Sequence, residues 1–443
     1  MVSSLSLKGG PMRLAIIGTG IAGNAAAYAL ATGSTHEITV FEKAGRAGGH
    51  SATVDIDYDG VKMAVDTGFI VYNEFNYPLL TALFRHLDVE TIASDMSFAF
   101  SAQNGGFEWS GRTTDVLNGL FAQRSNLVSP KYLKMLLEIT RFNKAAVADL
   151  ANGSLRGLSL GTYLERNSYS VKFRDGYLLP MGAAIWSMSV SAMMEFPAES
   201  FVAFFNNHHL LQWERPVWRT VKGGSRQYVT RMADAYRDRL RLNAEVVRIE
   251  RDDLGVTIHL KDGSDERFDG VILGSHSDET LAMLSDASSE EREILGSVGY
   301  KPNNVYLHRD KALMPRRKRA WASWNVIEGP DKGADLCVSY WMNLLQALDP
   351  KRDVFVTLNP PTPPDPALTF GVYTYDHPQF DRAAIDAQQR IDKIQGRHRT
   401  WYCGAWTRYG FHEDGLASGI AIAERLGARI DWKPEMSIQE AAE

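Results

Sequence analysis

Apolar and polar positions near the start of the chain follow two different periods in turn. Residues 14–17 are an apolar run that is long enough for a buried strand, and residues 21–31 continue as an alanine-rich helix. The stretch HEITVFEK then returns to the strand pattern, and the predicted second strand ends at Glu42. This order predicts a βαβ unit of about thirty residues.

The same kind of pattern returns in two later parts of the chain. After Gly223 and Gly224, apolar residues recur at helical spacing, and residues 244–276 read as strand, turn, strand, turn, strand. Near the C-terminus, RTWYCGAW predicts a last strand and GLASGIAIAERLG a final helix. Strands that alternate with helices are typical of α/β domains, so these pieces predict one discontinuous domain.

Two long insertions separate these pieces. The first, residues 78–215, is predicted to be mostly helical, with one helix near residues 130–147. The second, residues 276–390, contains four apolar runs that predict strands: NVYLHRD, AWASWNVIE, LCVSYWMNLL and DVFVTL. We expect these strands to form a sheet that walls an active site.

The chain is therefore expected to have an α/β fold with two domains. A Rossmann-like domain would comprise residues 12–77, 216–275 and 391–430, and a mixed sheet-plus-helix substrate domain would comprise residues 78–215 and 276–390. A length of 443 residues agrees with two or three domains.

Composition narrows the class of protein. With 44% hydrophobic and 23% charged residues, the chain has the composition of a soluble globular protein, and a net charge of −5 gives no general reason to bind nucleic acid. No apolar run approaches the ~20 residues that span a bilayer, and the first residues lack a signal-peptide core, with Met12 as an alternative start. Cys337 and Cys403 form no disulfide or metal-binding pattern, so a cytoplasmic, metal-free protein is expected.

Three glycines after the first strand carry the first chemical signal. Gly18, Gly20 and Gly23 fit the motif G-x-G-x-x-G. The first glycine permits a tight turn, the second lets the backbone approach a pyrophosphate, and the third lets helix and strand pack closely. Ile21 and Ala22 open the helix whose amides would face the phosphates.

An acidic residue completes this motif. Glu42 stands 19 positions after Gly23, where its carboxylate would accept hydrogen bonds from ribose hydroxyls. An acid at this place disfavours a 2′-phosphate. These residues predict a bound dinucleotide and leave NAD and FAD open.

The next segment distinguishes these cofactors by resemblance. KAGRAGGHSATV resembles the G-R-x-G-G segment of the flavin amine oxidoreductase and phytoene desaturase superfamily. The resemblance implies noncovalent FAD. The implied contacts in this segment are Lys43, Arg46, Gly48, Gly49 and His50.

The same resemblance implies further contacts with the cofactor. Thr67 and Gly68 would end a strand at the isoalloxazine edge. Val246 would lie against the adenine through its backbone, and Ser275 would end a strand near the cofactor.

A glycine-rich stretch near the C-terminus, YCGAWTRYGFHEDGLASG, fits the same picture. In the superfamily this turn and the following helix start lie under the flavin ring, where helix amides stabilise the negative charge of the reduced flavin. The alternative is a helix capped by Asp414 without a ligand. The triplet HED does not predict a metal site, because three consecutive side chains cannot easily converge on one ion. The residues implied as cofactor contacts here are Gly404, Asp414, Gly415 and Leu416.

Several strings narrow the resemblance. GFHEDGLASG, VSYWMNLLQ, FVTLNPPTPP and WASWN look like one bacterial branch of NAD/FAD-binding oxidoreductases, commonly encoded beside cyclopropane-fatty-acyl-phospholipid synthase-like methyltransferases. That branch includes the desaturase of bacterial furan fatty acid formation. The implied function is FAD-dependent desaturation of a methylated unsaturated fatty acyl chain on a phospholipid, with such a methyltransferase as partner. Flavin amine oxidase and a flavin-containing scaffold for a lipid methyltransferase are the alternatives.

Desaturation usually needs a proton acceptor beside the flavin. Tyr340 and Trp341 lie on a strand expected to face the flavin, and His412 lies in the adjacent turn. His208 and His377 are further candidates. The predicted catalytic residues are Tyr340, His412 and His209.

A basic run beside two tryptophans is the predicted surface contact. Residues 316–319 are Arg-Arg-Lys-Arg, and Trp321 and Trp324 follow. Such a run is either a solvated loop or a contact with anionic phospholipid or an acidic partner. We expect a peripheral membrane contact there, and the helix near residues 130–147 is a second candidate that core packing would equally explain.

Overall fold

Two large sheets organise this α/β fold, and the helices pack around them. The computed structural model describes residues 10–112, 115–186, 188–212, 216–329 and 337–434. Its strands are β1 (Arg13–Ile17), β2 (Glu37–Phe41), β3 (Thr53–Tyr58), β4 (Val61–Asp66), β5 (Val71–Asn73), β6 (Thr91–Ala93), β7 (Phe98–Ala102), β8 (Phe107–Ser110), β9 (Trp218–Val221), β10 (Leu240–Arg241), β11 (Val246–Arg251), β12 (Val256–Leu260), β13 (Asp265–Phe268), β14 (Gly270–Leu273), β15 (Gly299–His308), β16 (Trp324–Ile327), β17 (Cys337–Trp341), β18 (Phe355–Leu358), β19 (Thr369–Gln379) and β20 (Thr400–Tyr402). Its α-helices are α1 (Ile21–Gly33), α2 (Pro78–His86), α3 (Val116–Leu120), α4 (Pro130–Ala151), α5 (Leu160–Arg166), α6 (Val171–Phe173), α7 (Leu179–Trp186), α8 (Val190–Glu195), α9 (Ala198–Asn207), α10 (Arg226–Asp234), α11 (Ser277–Met283), α12 (Ser289–Leu295), α13 (Met342–Leu345), α14 (Arg382–Gln388) and α15 (His412–Arg425).

The first sheet is parallel and has the strand order β10–β2–β1–β14–β20. Alternate residues of β1 belong to two apolar clusters. Leu14 and Ile16 pack with α1 and α15, whereas Ala15 and Ile17 pack with the antiparallel sheet β11–β12–β13. Both faces of β1 are therefore covered, which explains its uninterrupted apolar run. The predicted βαβ unit is confirmed.

Glycines let α1 and α15 pack closely at the carboxyl edge of this sheet. A Cβ on Gly23 would lie 2.1 Å from the carbonyl oxygen of Gly18, and a Cβ on Gly419 would lie 2.1 Å from the carbonyl oxygen of Ala22. Any side chain at either position would force the backbones apart.

The predicted strand pattern of residues 244–276 is right for the first two strands and wrong for the third. Its last apolar stretch divides at Asp269: β13 pairs antiparallel with β12, and β14 enters the parallel sheet beside β1. The chain passes from the antiparallel to the parallel sheet at Asp269. Its backbone N–H donates to the carbonyl of Arg13, and its carboxylate accepts from the N–H of Arg13.

The second sheet has seven strands in the order β19–β15–β18–β17–β16–β7–β8. Its neighbours are antiparallel except for the parallel pair β16 and β7. The four strands predicted in the second insertion are confirmed as β15 to β18. Strands β7 and β8, which lie in the insertion predicted to be mostly helical, were not predicted from the sequence, and neither was β19.

The domain division remains a prediction. The five parallel strands come from three separate parts of the chain, and the seven-stranded sheet combines residues 98–110 with residues 299–379. In the described part of the chain, no helix is both long enough and apolar enough to cross a membrane. Cys337 and Cys403 are buried free thiols.

A buried ion pair joins the antiparallel sheet to the parallel sheet. The Arg251 guanidinium donates to both carboxylate oxygens of Glu291 at 2.6 and 2.9 Å, and the Tyr402 hydroxyl donates to Glu291 at 2.5 Å. Burial would raise the pKa of Glu291, but the hydrogen bonds from Arg251 and Tyr402 outweigh it and lower the pKa to about 2. Removal of Glu291 would leave the buried Arg251 cation with the partly exposed carboxylate of Asp286, 2.9 Å away, as its charged partner.

We therefore expect Glu291→Ala to destabilise the protein by about 3 kcal/mol, because the buried Arg251 guanidinium loses its two-oxygen partner and keeps only Asp286. Chemical denaturation of the flavin-loaded protein measures this. The matched control is Glu290→Ala, because Glu290 pairs with Arg397 at the surface and should cost less than about 1 kcal/mol. Equal effects of the two substitutions would contradict a structural role for the buried pair.

Candidate functional site

A cavity of about 380 Å³ lies between the carboxyl edge of the parallel sheet and the seven-stranded sheet. Four parts of the chain line it: the start of α1 with residues 50 and 67–71, helices α7 and α9, the seven-stranded sheet, and the turn before α15. The lining includes Ile21, Ala22, His50, Thr67, Gly68, Phe69, Met96, Ala184, Ile185, Trp186, Phe204, His208, Leu210, Trp218, Ser275, His276, Tyr300, Trp324, Tyr340, Leu358, Tyr375, Asp376, His377, Gly404, Trp406, Phe411 and His412.

The start of α1 has the open space that a diphosphate needs. A Cβ on Gly20 would meet no atom within 4 Å, although Gly20 immediately precedes the helix. A Cβ on Gly49 would lie 3.0 Å from the Cα of Gly20, so the second glycine turn approaches the first. The backbone amides of the helix start can therefore face an anion without obstruction by a side chain.

Glu42 lies at the end of β2, at the same edge of the sheet. Its carboxylate accepts hydrogen bonds from the Thr19 N–H at 3.0 Å, the Thr19 hydroxyl at 2.5 Å and the Ala44 N–H at 2.9 Å. These donors fix the carboxylate beside the glycine turn. Arg46 donates to the carbonyl of Gly49 at 2.9 Å, so its side chain orders the second glycine turn. The neighbouring Lys43 is exposed and pairs with Glu279 on α11 at 2.5 Å.

Histidine and tyrosine rings surround one unsatisfied nitrogen. The ring of His50 lies 5.1 Å from Tyr375, 5.6 Å from His377 and 6.1 Å from His276, measured between centroids. Its Nε2 atom is buried without a hydrogen-bond partner among the described residues. Burial lowers the pKa of His50 well below its ordinary value, so the ring is neutral. A buried polar atom without a partner in a cavity fits a site that a polar cofactor would complete.

Thr67 and Gly68 connect this histidine to the end of β4. The hydroxyl groups of Thr67 and Tyr375 lie 2.7 Å apart, and a Cβ on Gly68 would lie 2.1 Å from the carbonyl oxygen of His50. Ser275 follows β14 and also lines the cavity, with its carbonyl accepting from the Trp406 indole at 3.3 Å. Val246 lies on β11, is buried, and is outside the lining.

The start of α15 crosses the start of α1. A Cβ on Gly415 would lie 2.6 Å from Cγ2 of Ile21, and Leu416 is fully buried. The N–H of Gly404 donates to the Ser418 hydroxyl at 2.9 Å, which holds the preceding turn against the helix. Two helix N-termini therefore converge on one cavity, and both favour negative charge there.

The three side chains of the HED triplet point to different partners. His412 stacks on Phe69 at 3.7 Å, and its Nε2 lies 2.7 Å from the Tyr228 hydroxyl. Glu413 accepts from the N–H groups of residues 79 and 80, at the start of α2. Asp414 accepts from the Phe411 N–H at 2.9 Å, so its side chain caps the helix. No metal-binding group of three or more His, Cys, Asp or Glu residues occurs in the described part of the chain.

The predicted catalytic residues have different positions. Tyr340 lines the cavity and packs edge-on against Trp324, and His412 also lines it. His209 lies outside the lining, with its ring against Phe75, whereas its neighbour His208 lines the cavity. The side chain of Trp341, the next residue of this strand, points to the opposite face, as successive side chains of a strand do. Trp341 instead packs against Trp321.

Tyr375 and His276 line the cavity and were not predicted from the sequence. Tyr375 and the predicted candidate His377 lie at alternate positions of β19, and this period of two was visible in the sequence. His276 stacks on Tyr300 at 4.5 Å, a contact between α11 and β15 that no local pattern indicates.

The open space at Gly20 gives a test of cofactor binding. We expect Gly20→Val to abolish flavin binding, because the added methyl groups would occupy the space for the diphosphate, and to leave the unfolding temperature of the apoprotein close to that of the parent. Absorbance of the purified protein and thermal unfolding of both apoproteins measure these two effects. Gly299→Val is the matched control, because a Cβ there also meets nothing within 4 Å. A yellow Gly20→Val protein with a full flavin content would remove Gly20 from the site.

Glu413 gives a prediction on pH dependence. Burial raises the pKa of Glu413 to about 7, above its ordinary value of 4.5. A raised pKa in the folded state means that the stability contributed by the neutral carboxyl is complete below pH 4.5 and is lost as pH rises through 7. Glu413→Gln cannot ionise, so its unfolding temperature relative to that of the parent should increase from pH 5 to pH 8. A difference between the two proteins that is constant over this range would contradict the raised pKa.

Comparisons with known proteins agree with this geometry. A family model described as flavin containing amine oxidoreductase matches residues 21–401. No curated protein matches the chain by sequence.

Solved structures with the same fold include enzymes of different chemistry. The CLA-producing fatty acid isomerase from P. acnes is 16% identical, with a TM-score of 0.64 over 97% of this chain and 100% of that chain. Wild-type putrescine oxidase bound to putrescine is 16% identical, with a TM-score of 0.65 over 95% of this chain and 99% of that chain. Cyclohexylamine oxidase from Brevibacterium oxydans IH-35A is 17% identical, with a TM-score of 0.61 over 94% of this chain and 100% of that chain.

Such low identities show a shared fold and leave the substrate open. The family model covers most of the chain, from the first residue of α1 to β20, and includes Glu42 and the second glycine turn at residues 48–49. This chain belongs to the flavin containing amine oxidoreductase family and is a flavin-dependent oxidoreductase.

Proposed function

We propose that this oxidoreductase desaturates a methylated, unsaturated fatty acyl chain carried by a phospholipid. One observation carries the proposal: away from the glycine turns, the cavity is lined mainly by apolar and aromatic side chains. They are Met96, Ile185, Trp186, Phe204, Leu210, Trp218, Trp324, Tyr340, Leu358 and Phe411. A hydrocarbon chain gains free energy by leaving water for such a surface.

The ionisable groups of the lining support an uncharged substrate. Burial lowers the pKa values of His208 and His377 to about 4, so both rings are neutral at neutral pH. Burial also raises the pKa of Tyr340, so its phenol stays protonated and can donate a hydrogen bond. These three neutral side chains place no charge beside the substrate, and Asp376 contributes a carboxylate elsewhere in the lining.

The chemistry divides between cofactor and protein. When bound, a flavin would supply the hydride-accepting chemistry. The protein must position the acyl chain, exclude water and take up the proton from the neighbouring carbon. Within this proposal, Tyr340 orients the substrate and a neutral histidine of the lining, His208 or His377, takes up the proton. His412 positions the turn before α15, because its Nε2 already contacts the Tyr228 hydroxyl and its ring stacks on Phe69.

Two findings bear on the choice of substrate. The fold is shared with a fatty acid isomerase, which acts on an acyl chain, and the resemblance to a bacterial lipid-modifying branch points the same way. Amine oxidation is the second candidate, because putrescine oxidase and cyclohexylamine oxidase share the fold and Asp376 contributes a carboxylate to the lining.

Anaerobic reduction of the bound flavin tests these functions. We expect a phospholipid with a methyl-branched unsaturated chain to bleach the flavin absorbance and to lose a pair of hydrogen atoms, as measured by mass spectrometry of the lipid. Putrescine and cyclohexylamine should leave the flavin oxidised. Bleaching by an amine alone would favour amine oxidation, and no bleaching by either class would favour a flavin-containing scaffold for a methyltransferase.

A variant that narrows the cavity makes the same test sharper. Ala184 is buried on α7 and lines the cavity, so Ala184→Trp should keep the flavin and slow bleaching by the lipid by about tenfold or more, since the indole would occupy space for the chain. Ala151→Trp, at the exposed end of α4, is the matched control. Unchanged bleaching by the flavin-loaded Ala184→Trp protein would contradict acyl binding in this cavity.

A further inference from the structure

One outer surface carries an unusual share of the exposed apolar residues. Large apolar side chains are exposed at fourteen positions of the described chain, and six of these lie within residues 116–137. Val128 and Leu137 are 81% and 73% exposed, so most of the surface of each side chain faces solvent. The six residues are Val116, Leu117, Leu127, Val128, Leu133 and Leu137.

The α4 helix shows how this surface arises. Its inner face is buried through Tyr132, Met135 and Phe142, whereas Leu133 and Leu137 lie one turn apart on the outer face. The outer face would be expected to be polar in a helix that meets only water. Core packing therefore explains one side of this helix and leaves the other side unexplained.

Basic residues surround these apolar side chains. Residues 115–144 contain five Lys or Arg residues, and of their two acidic residues Glu138 is buried. Lys131, Lys134 and Lys144 are exposed on α4. The chain as a whole has a net charge of −5, so a positive surface of this kind departs from the rest of the molecule.

The basic run of residues 316–319 extends the same surface. Glu108 on β8 is fully buried and accepts from the backbone N–H groups of Arg316 and Arg317, which fixes the run beside this strand. The α3 helix packs on the end of β8 and against residues 318–320. Lys318 and Arg319 are exposed there.

Trp321, which follows the basic run, was expected to take part in the surface contact, and this expectation is wrong. Trp321 is only 5% exposed and packs against Phe355, and Trp324 lines the cavity. The carboxylate of Glu108 also pairs with the Arg317 guanidinium at 2.8 Å, so Arg317 is not a free cation. The apolar part of any surface contact must therefore come from α3, residues 127–128 and α4.

We propose that this α3–α4 surface, formed by α3, residues 124–128, the outer face of α4 from 131 to 144 and residues 316–319, docks on an anionic phospholipid bilayer. The exposed Leu and Val side chains enter the interface, and the surrounding Lys and Arg residues contact the lipid phosphates. The surface continues into β8, an edge strand of the sheet whose strands β15 to β19 line the cavity. Docking is a property of the surface itself and does not depend on the identity of the substrate.

Vesicle flotation of the flavin-loaded protein tests how much the basic side chains of this surface contribute to binding. The variant Lys131→Ser, Lys144→Ser, Lys318→Ser, Arg319→Ser should bind phosphatidylglycerol-containing vesicles roughly a hundredfold more weakly than the parent at low salt. High salt should weaken the parent strongly and the variant little. The matched control is Lys62→Ser, Lys351→Ser, Lys393→Ser, which removes exposed cations from other surfaces.

A second variant tests the apolar part. Val128→Ser, Leu133→Ser, Leu137→Ser should reduce binding about tenfold or more, because interfacial binding scales with the buried apolar area. Leu254→Ser, at an 82% exposed position on another surface, is the control. All these positions are exposed, so flavin content and unfolding temperature should stay the same.

Three results would overturn the proposal. The first is equal flotation of the parent and both surface variants. The second is equal binding of the parent to purely zwitterionic and to anionic vesicles. The third is a parent that sediments as a dimer and surface variants that sediment as monomers with unchanged vesicle binding, since the surface would then join two copies of this chain. If a variant that no longer floats still shows flavin bleaching by a detergent-solubilised lipid, then the substitutions affect docking and leave catalysis intact.

Discussion

Direct contact between backbones at glycines is the constraint on which the site depends. The carbonyl oxygens of Gly18 and Ala22 occupy the places where side chains at Gly23 and Gly419 would begin. Without this contact α1 and α15 could not approach, and their N-termini would not meet at one edge of the parallel sheet. Because both helices present free amides and a positive dipole end there, the edge favours the negative charges of a diphosphate and of a reduced flavin.

The seven-stranded sheet and this edge line one cavity that has two chemically different ends. Near the glycine turns, the Nε2 atom of His50 has no hydrogen-bond partner among the described residues and can contact a cofactor. At the other end, Trp324 and Tyr340 belong to an apolar lining. Burial lowers the pKa values of His50, His208, His377 and His412, since a charged ring would lose its hydration there. A neutral, largely apolar site suits hydride removal from carbon.

The elements that the sequence predicted well are those that local pattern specifies. The βαβ unit followed from an apolar run, a helix and three glycines, and strands β15 to β18 followed from short apolar runs. The strand β7 is mostly apolar but joins the sheet through β16, in a distant part of the chain, and β8 and β19 carry polar residues between their aromatic ones, so none of the three was predicted. The third predicted strand in residues 244–276 divided into β13 and β14 because Asp269 pairs with Arg13, which lies 256 residues away.

The sequence by itself determined the nucleotide-binding unit, because its glycines, its acid and its helix start act within about thirty residues of one another. It could not determine which distant groups meet. The pairing of Glu413 with the start of α2, the position of His50 beside His377, and the burial of Trp321 depend on how the two sheets pack. Only the tertiary structure decided these, because a side chain's neighbours are set by three-dimensional packing and a local pattern fixes only the face on which it lies.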